Sequence, residues 1–312
     1  MDARFLVALA PLAVFAQTFT PPDDLSFRRA NIVSEGTRMT AEVYSPRSKQ
    51  GAKLPTVIMC HGWGGTAAGL RREAVDISRA GYLVVVFDYR GWGQSDARVI
   101  LTGPVPTDKH NNRFTAEVKE VREVVDPLDM ARDLLNAIHW VHGEAQADTT
   151  RIGLWGSSYS GGHVVWAAAR DHRIKALVSQ VGGMDSRPLA KALNANEVAT
   201  RRTRGEIGYP APRAQEVGKL FGGPIAEKMM DYAPVEDAAR VPPHCAQLYI
   251  VAAKEELFDN RNNGIRAHSA ARGPKKLVSI PDIGHYGIYR EAREQATKLA
   301  IEWFDEHLKG PR

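Results

Sequence analysis

Residues 151–165 read RIGLWGSSYSGGHVV. A short apolar strand, Arg151–Trp155, runs into small residues and then into the opening turn of a helix. Three serines crowd the junction: Ser157, Ser158 and Ser160. A strand-to-helix elbow holds one side chain above the sheet in a strained backbone conformation. It forces the residues two before and two after into contact, so both must be small. Ser157 has Trp155 and Tyr159 at those positions and fails. Ser158 has Gly156 and Ser160 and passes; Ser160, between Ser158 and Gly162, also passes on size. The elbow residue follows its strand directly, and that places Ser158 at the tip. A helix N-cap serine is the competing structural role, but it does not ask for small neighbours on both sides.

A nucleophile of this kind needs two preorganised donors aimed at a developing oxyanion. The Tyr159 N–H, just after the serine, supplies one. The other is expected from the glycine-rich turn at 60–69, CHGWGGTAAG, through the backbone N–H of Trp63. That turn has a rival explanation. Gly62, Gly64 and Ala67 fit the dinucleotide pattern G-x-G-x-x-A, and Asp88 ends the next strand where a ribose-binding acid would sit. Against a nicotinamide-dependent oxidoreductase stand two antiparallel strands before the unit, His61 immediately before the glycines, and the turn YRGWGQSD that follows Asp88.

The remaining texture alternates. LSFRRANIV and RMTAEVYSP have period-two patterning and predict an antiparallel pair around Ser34–Gly36. LPTVIMC, YLVVVFD, RIGLW, IKALVSQV, QLYIVAA and KKLVSIP are continuous apolar runs, as strands covered on both faces require. Helical spacing lies between them over 67–80, from the Asp126 N-cap and Pro127 onward, over 260–271, and over 291–308. The predicted fold class is therefore α/β, a mostly parallel sheet with helices on both faces. Two stretches break the alternation. Residues 97–121 are polar and irregular. Residues 186–245, interrupted by Pro210, Pro212, Gly222, Gly223 and Pro224, are too long for a plain loop and predict an inserted cap or lid.

Composition narrows the classes further. The chain has 312 residues, 44% of them hydrophobic and 25% charged, enough for a sizeable core in one large domain spanning 25–312. The net charge of +5 is spread over short basic clusters without a continuous stripe, so no nucleic-acid partner is expected. The run FLVALAPLAVFA is too short to span a bilayer. With small residues before Gln17 it predicts a signal peptide at 1–16 and a secreted or periplasmic protein. No membrane span is expected in the mature chain. Cys60 and Cys245 are expected to be reduced and buried. His139 and His142 share a helix face but lack a third ligand, and no metal is expected.

HGWGG, DYRGWGQS, GSSYSGG and a late GHYG, in this order, resemble the α/β-hydrolase superfamily, and most of all its dienelactone-hydrolase-like and S15-peptidase-like esterase branches. The resemblance covers nearly all of the chain after about residue 25, with Ser160 in place of the last glycine of G-x-S-x-G. It implies a serine esterase without a cofactor, acting on a small-molecule ester through an acyl-enzyme on Ser158. His285, in PDIGHYG after the last strand, takes the family's histidine position, and His61 that of a structural histidine in the oxyanion loop. The acid follows QLYIVAA; Glu255, with Phe258 in register, fits the family pattern, and Glu256 is the alternative. A peptidase or amidase, an acyltransferase, and an inactive binding protein on the same fold are the alternative functions. Tyr209, Phe221, Met229, Met230 and Tyr232 are candidates to line an apolar pocket, with 186–245 and 97–121 as its walls.

Overall fold

The computed structural model describes residues 19–310, so the expected signal peptide at 1–16 lies outside the described residues. Eight strands form the central sheet: β1 (Leu25–Ser34), β2 (Thr37–Pro46), β3 (Leu54–Cys60), β4 (Leu83–Phe87), β5 (Ala147–Ser157), β6 (Ile174–Gln180), β7 (Ala246–Ala252) and β8 (Lys275–Ile280). Their spatial order is β1-β2-β4-β3-β5-β6-β7-β8. β1 and β2 pair antiparallel, as does β2 with β4, and every later neighbour is parallel.

Both faces of the parallel part are covered, which is why its strands are apolar without alternation. Successive side chains still point to opposite faces. Val57, Met59, Val84 and Val86 join one core with Ile77, Ala300 and Phe304. Ile58, Cys60, Val85 and Phe87 join another with Leu134, Ile138 and Val164. The first face is closed by α1 (Arg71–Arg79), the second by α2 (Pro127–His142) and α3 (Tyr159–Ala168). Helix α2 starts where the sequence predicts: Asp126 accepts from the N–H groups of Leu128 and Asp129, each at 3.1 Å, with Pro127 in the first turn.

Between β6 and β7 the chain makes the predicted excursion. It carries α4 (Arg187–Ala192), α5 (Ala195–Thr203), α6 (Ala226–Met229) and α7 (Pro234–Asp237). The excursion is tied to the body by a short parallel bridge of Gly223–Pro224 to Val124–Val125. Helix α8 (Gly264–Ala270) joins β7 to β8, and α9 (Arg293–Phe304) packs against α1.

Residues 97–121 are not irregular throughout. Arg98–Leu101 and Val118–Val121 pair as an antiparallel hairpin that stands largely exposed. Both cysteines are free and buried, and burial pushes each thiol up to about 12. Among the described residues no helix is long and apolar enough to cross a membrane.

Candidate active site

Strand β5 extends two residues beyond Trp155, to Ser157, so Ser158 is the first residue past the strand and directly precedes α3. Its backbone is held at φ 57°, ψ −125°, a conformation that costs free energy and persists only where neighbours enforce it. The enforcement is visible. Ser158 N–H donates to the Gln180 carbonyl at 2.8 Å, and its own carbonyl accepts from Gly161 and Gly183. At Gly156 a Cβ would lie 2.2 Å from the Ser160 carbonyl oxygen, the close approach that demands small flanking residues.

The three serines now separate. Ser160 is fully buried; its hydroxyl donates to the His61 carbonyl and accepts from Tyr89 at 2.9 Å. Ser157 is buried between the Gln180 amide at 3.1 Å and the Tyr289 hydroxyl at 2.7 Å. Ser158 alone is half-buried, opening on a cavity, with Oγ 2.9 Å from Nε2 of His285.

His285 begins a short turn after β8, and Glu255 and Glu256 lie on the loop after β7. The two carboxylates divide the work. Glu255 faces Nδ1 of His285 with both oxygens at 3.0 Å, and both side chains are 2% exposed. Glu256 instead accepts from the backbone N–H of His285 at 2.6 Å. A carboxylate at Nδ1 keeps the proton there and leaves Nε2 as an acceptor facing Ser158. Arranged this way, the imidazole can take the serine proton and return it to a leaving group.

The glycine turn abuts Ser158. A Cβ at Gly62 would lie 2.7 Å from Cβ of Ser158 and 2.8 Å from the Ser157 carbonyl, so a side chain there would push the turn away. Trp63 and Tyr159 line the same cavity as Ser158, their rings 5.3 Å apart edge-on. Tyr159 is the first residue of α3, so its N–H has no intrahelical acceptor. The Trp63 indole donates to the Gly222 carbonyl at 3.1 Å, which clamps the turn to the inserted segment. Asp88, the candidate ribose acid, accepts instead from the backbone N–H groups of Ala67 at 2.6 Å and Gln94 at 2.9 Å. It holds two turns in place and offers no free carboxylate to a nucleotide. His61 is buried with Nδ1 at 3.0 Å from the Gly62 carbonyl, and burial lowers its pKa. His139 accepts from Arg173.

The cavity over Ser158 measures about 190 Å³. Its apolar wall is Leu189, Val217 and Leu220 from the inserted segment with Leu257 and Phe258 from the loop after β7. This corrects the expected lining. Met229 and Tyr232 are fully buried in the core, Tyr232 bonded to His163 at 2.6 Å; Phe221 and Met230 are exposed; Tyr209 lies at other clefts. The 97–121 hairpin contributes no residue to this wall. Irregular segments carry no periodicity from which a facing direction can be read. Asp185 is the one carboxylate on the wall, and Arg187 binds both its oxygens, at 2.9 and 2.7 Å. Burial alone would raise the Asp185 pKa, but those hydrogen bonds outweigh it and hold the group below the usual range. Tyr289 is the polar neighbour the sequence did not single out. Only its spacing of four from His285, on one turn, would have flagged it.

Residues 35–191 match the model of the X-Pro dipeptidyl-peptidase (S15) family, and residues 128–311 match that of the prolyl oligopeptidase family. In sequence the chain is similar to the uncharacterized 31.7 kDa protein of the traX-finO intergenic region of Escherichia coli, at 28% identity over 88% of this chain and 98% of that one. In structure it is similar to a hypothetical protein of Pseudomonas aeruginosa, with TM-score 0.72 and 20% identity over 97% of this chain and 100% of that one. It is also similar to an acetyl xylan esterase from Paenibacillus sp. R4, with TM-score 0.61 and 20% identity over 91% and 85% of the two chains.

Proposed function

The chain belongs to the α/β-hydrolase superfamily, and from that premise we propose that it is a serine hydrolase that cleaves carboxylic esters of small apolar acids through an acyl-enzyme on Ser158. The observation that carries this reading is Ser158 Oγ, 2.9 Å from His285 Nε2 and open to an apolar cavity. In the proposed cycle Oγ attacks the ester carbonyl while Nε2 takes its proton. The oxyanion forms against the N–H groups of Trp63 and Tyr159, and the proton passes to the departing alcohol. Water then repeats the sequence on the acyl-enzyme and releases the acid. Glu255 orients the imidazole and stabilises its charged form.

The wall of the cavity speaks for a neutral acyl group. Its carboxylate is already paired to Arg187, so it has no free charge with which to hold the ammonium of a peptide N-terminus. A peptidase remains the second reading because both matching family models are peptidase families. The test is turnover of p-nitrophenyl acetate, butyrate and octanoate beside an alanyl-prolyl p-nitroanilide, with an organophosphonate probe mapped by peptide mass. Ester turnover at least about 100-fold above anilide turnover in kcat/KM, with the probe on Ser158, is expected. Faster anilide turnover would replace esterase by peptidase, and no labelling of the folded protein would leave a binding protein.

We further propose that the protein acts outside the cytoplasm, on the strength of the apolar run at 5–16. N-terminal sequencing of protein recovered from an exporting host should give Gln17 as the first residue. A chain that still begins at Met1 would overturn this.

A further inference from the structure

The glycines packed around Ser158 are of two kinds. At Gly62, Gly156, Gly161, Gly162 and Gly182 a Cβ would lie within 2.7 Å of a neighbouring atom, so packing alone forbids a side chain. Gly183 is different. A Cβ there would sit 3.6 Å from Cε1 of Phe258 and 3.8 Å from Cδ2 of Tyr159, both ordinary contact distances. Its backbone lies outside the left-handed region, so conformation does not ask for glycine either. Gly183 is half-buried and lines the cavity over Ser158 together with both rings. Its missing side chain leaves a gap between two aromatic rings, beside the reacting atoms. Tyr159 directly follows Ser158, and the Phe258 ring meets that of His285 edge-on at 5.6 Å.

The floor of this gap is pinned. The Gly183 N–H donates to the Ser158 carbonyl at 3.1 Å, and the Met184 N–H donates to Oδ1 of Asn263 at 2.7 Å. Two residues before Gly183, Val181 is held at φ 41°, a region that a β-branched residue enters only under constraint. Its N–H is tied to the Ile250 carbonyl at 2.7 Å. The polar side chains of the cavity wall are already engaged. The Tyr159 hydroxyl is paired with Ser186 at 2.8 Å, the Asn263 amide also donates to the Asp259 carbonyl at 2.9 Å, and Asp185 is bound by Arg187. With those groups satisfied from within, the gap favours an apolar occupant.

We propose that Gly183 is a specificity-determining residue of this site: the gap it leaves between Tyr159 and Phe258 takes the distal methylenes of the acyl chain, so that acids longer than acetate are favoured. The inference rests on the ester-hydrolase reading above and names the part of the substrate that the cavity reads. The acyl group stays on Ser158 through both halves of that cycle, whereas the alcohol leaves after the first. An alanine at 183 would touch both rings and begin to close the gap; a valine would project further into the cavity.

The experiment is Gly183→Ala and Gly183→Val, read as the ratio of kcat/KM for p-nitrophenyl octanoate to that for p-nitrophenyl acetate. The ratio cancels any loss common to the two esters, so a general disturbance of the site does not imitate the effect. Alanine should lower it about 3- to 10-fold and valine about 10- to 100-fold, the scale on which the methylenes of an apolar pocket discriminate. Butyrate should fall between the two esters. A second series, octyl acetate against ethyl acetate, should keep its ratio within about threefold of the parent in both variants, because there the length lies in the alcohol. An octanoate-to-acetate ratio unmoved by both substitutions, or an equal fall in the alkyl acetate series, would overturn the proposal. Absence of ester turnover in the unaltered protein would overturn the ester-hydrolase reading itself, and so is told apart from failure of this assignment alone.

Discussion

Replacing Ser158 by alanine is expected to lower kcat toward esters by about 10⁴-fold or more, the scale of removing a serine nucleophile from a cooperating site. The loss is large because covalent catalysis has no substitute once Oγ is gone; what remains is binding and the oxyanion donors. Ser157→Ala and Ser160→Ala should keep turnover within about tenfold of the parent, since neither hydroxyl meets the cavity. Their cost falls on packing: Ser160 ties Tyr89 to the His61 carbonyl, so its loss should lower the thermal midpoint more than the rate. The comparison is made by initial rates and thermal unfolding of the three variants side by side. Near-full activity in Ser158→Ala would sink the assignment of the nucleophile.

The second large effect is expected at Glu255. Glutamine there should cost about 10³- to 10⁴-fold in kcat, whereas Glu256→Gln should cost about tenfold or less. The two residues are neighbours of the same type, and the difference lies in what each accepts from. Glu256 takes a backbone N–H, and a glutamine carbonyl oxygen can still take it, with a neutral acceptor in place of a charged one. Glu255 faces the ring nitrogen Nδ1 with both oxygens. A glutamine can turn its NH2 toward that nitrogen and place the proton on Nε2, the tautomer that cannot accept from Ser158. It also removes the charge that would stabilise an imidazolium in a pair only 2% exposed. Rates of both variants over pH 5 to 9 decide the matter. Equal, small losses would mean that the acid lies elsewhere.

Much of this was readable in one dimension. Continuous apolar runs separated by helical spacing could only be a parallel sheet covered on both sides, and β3 to β8 fall where those runs lie. The elbow was readable because its constraint is steric and local: small residues at 156 and 160 are a direct trace of the 2.2 Å approach that a side chain at Gly156 would create. The inserted segment was readable as an interruption of the strand–helix alternation, but not its facing direction. Burial of Met229 and Tyr232 and the placing of Leu189, Val217 and Leu220 over Ser158 depend on how short helices broken by prolines and glycines fold back on the body. Nor did the glycine turn distinguish two uses, because an oxyanion turn and a phosphate cradle both need backbone without side chains.

The sequence by itself determined the sheet, the elbow and which residue stands at its tip, since each follows from periodicity or from contacts within a few residues. Only the tertiary structure set Glu255 before Nδ1 of His285 and Glu256 before its backbone N–H, bound Asp88 into two turns, and brought Tyr289 to Ser157 across 132 positions. Those outcomes depend on the relative placement of loops from different strands. Adjacent carboxylates have the same chemistry until the fold sets a ring nitrogen before one of them and a backbone N–H before the other.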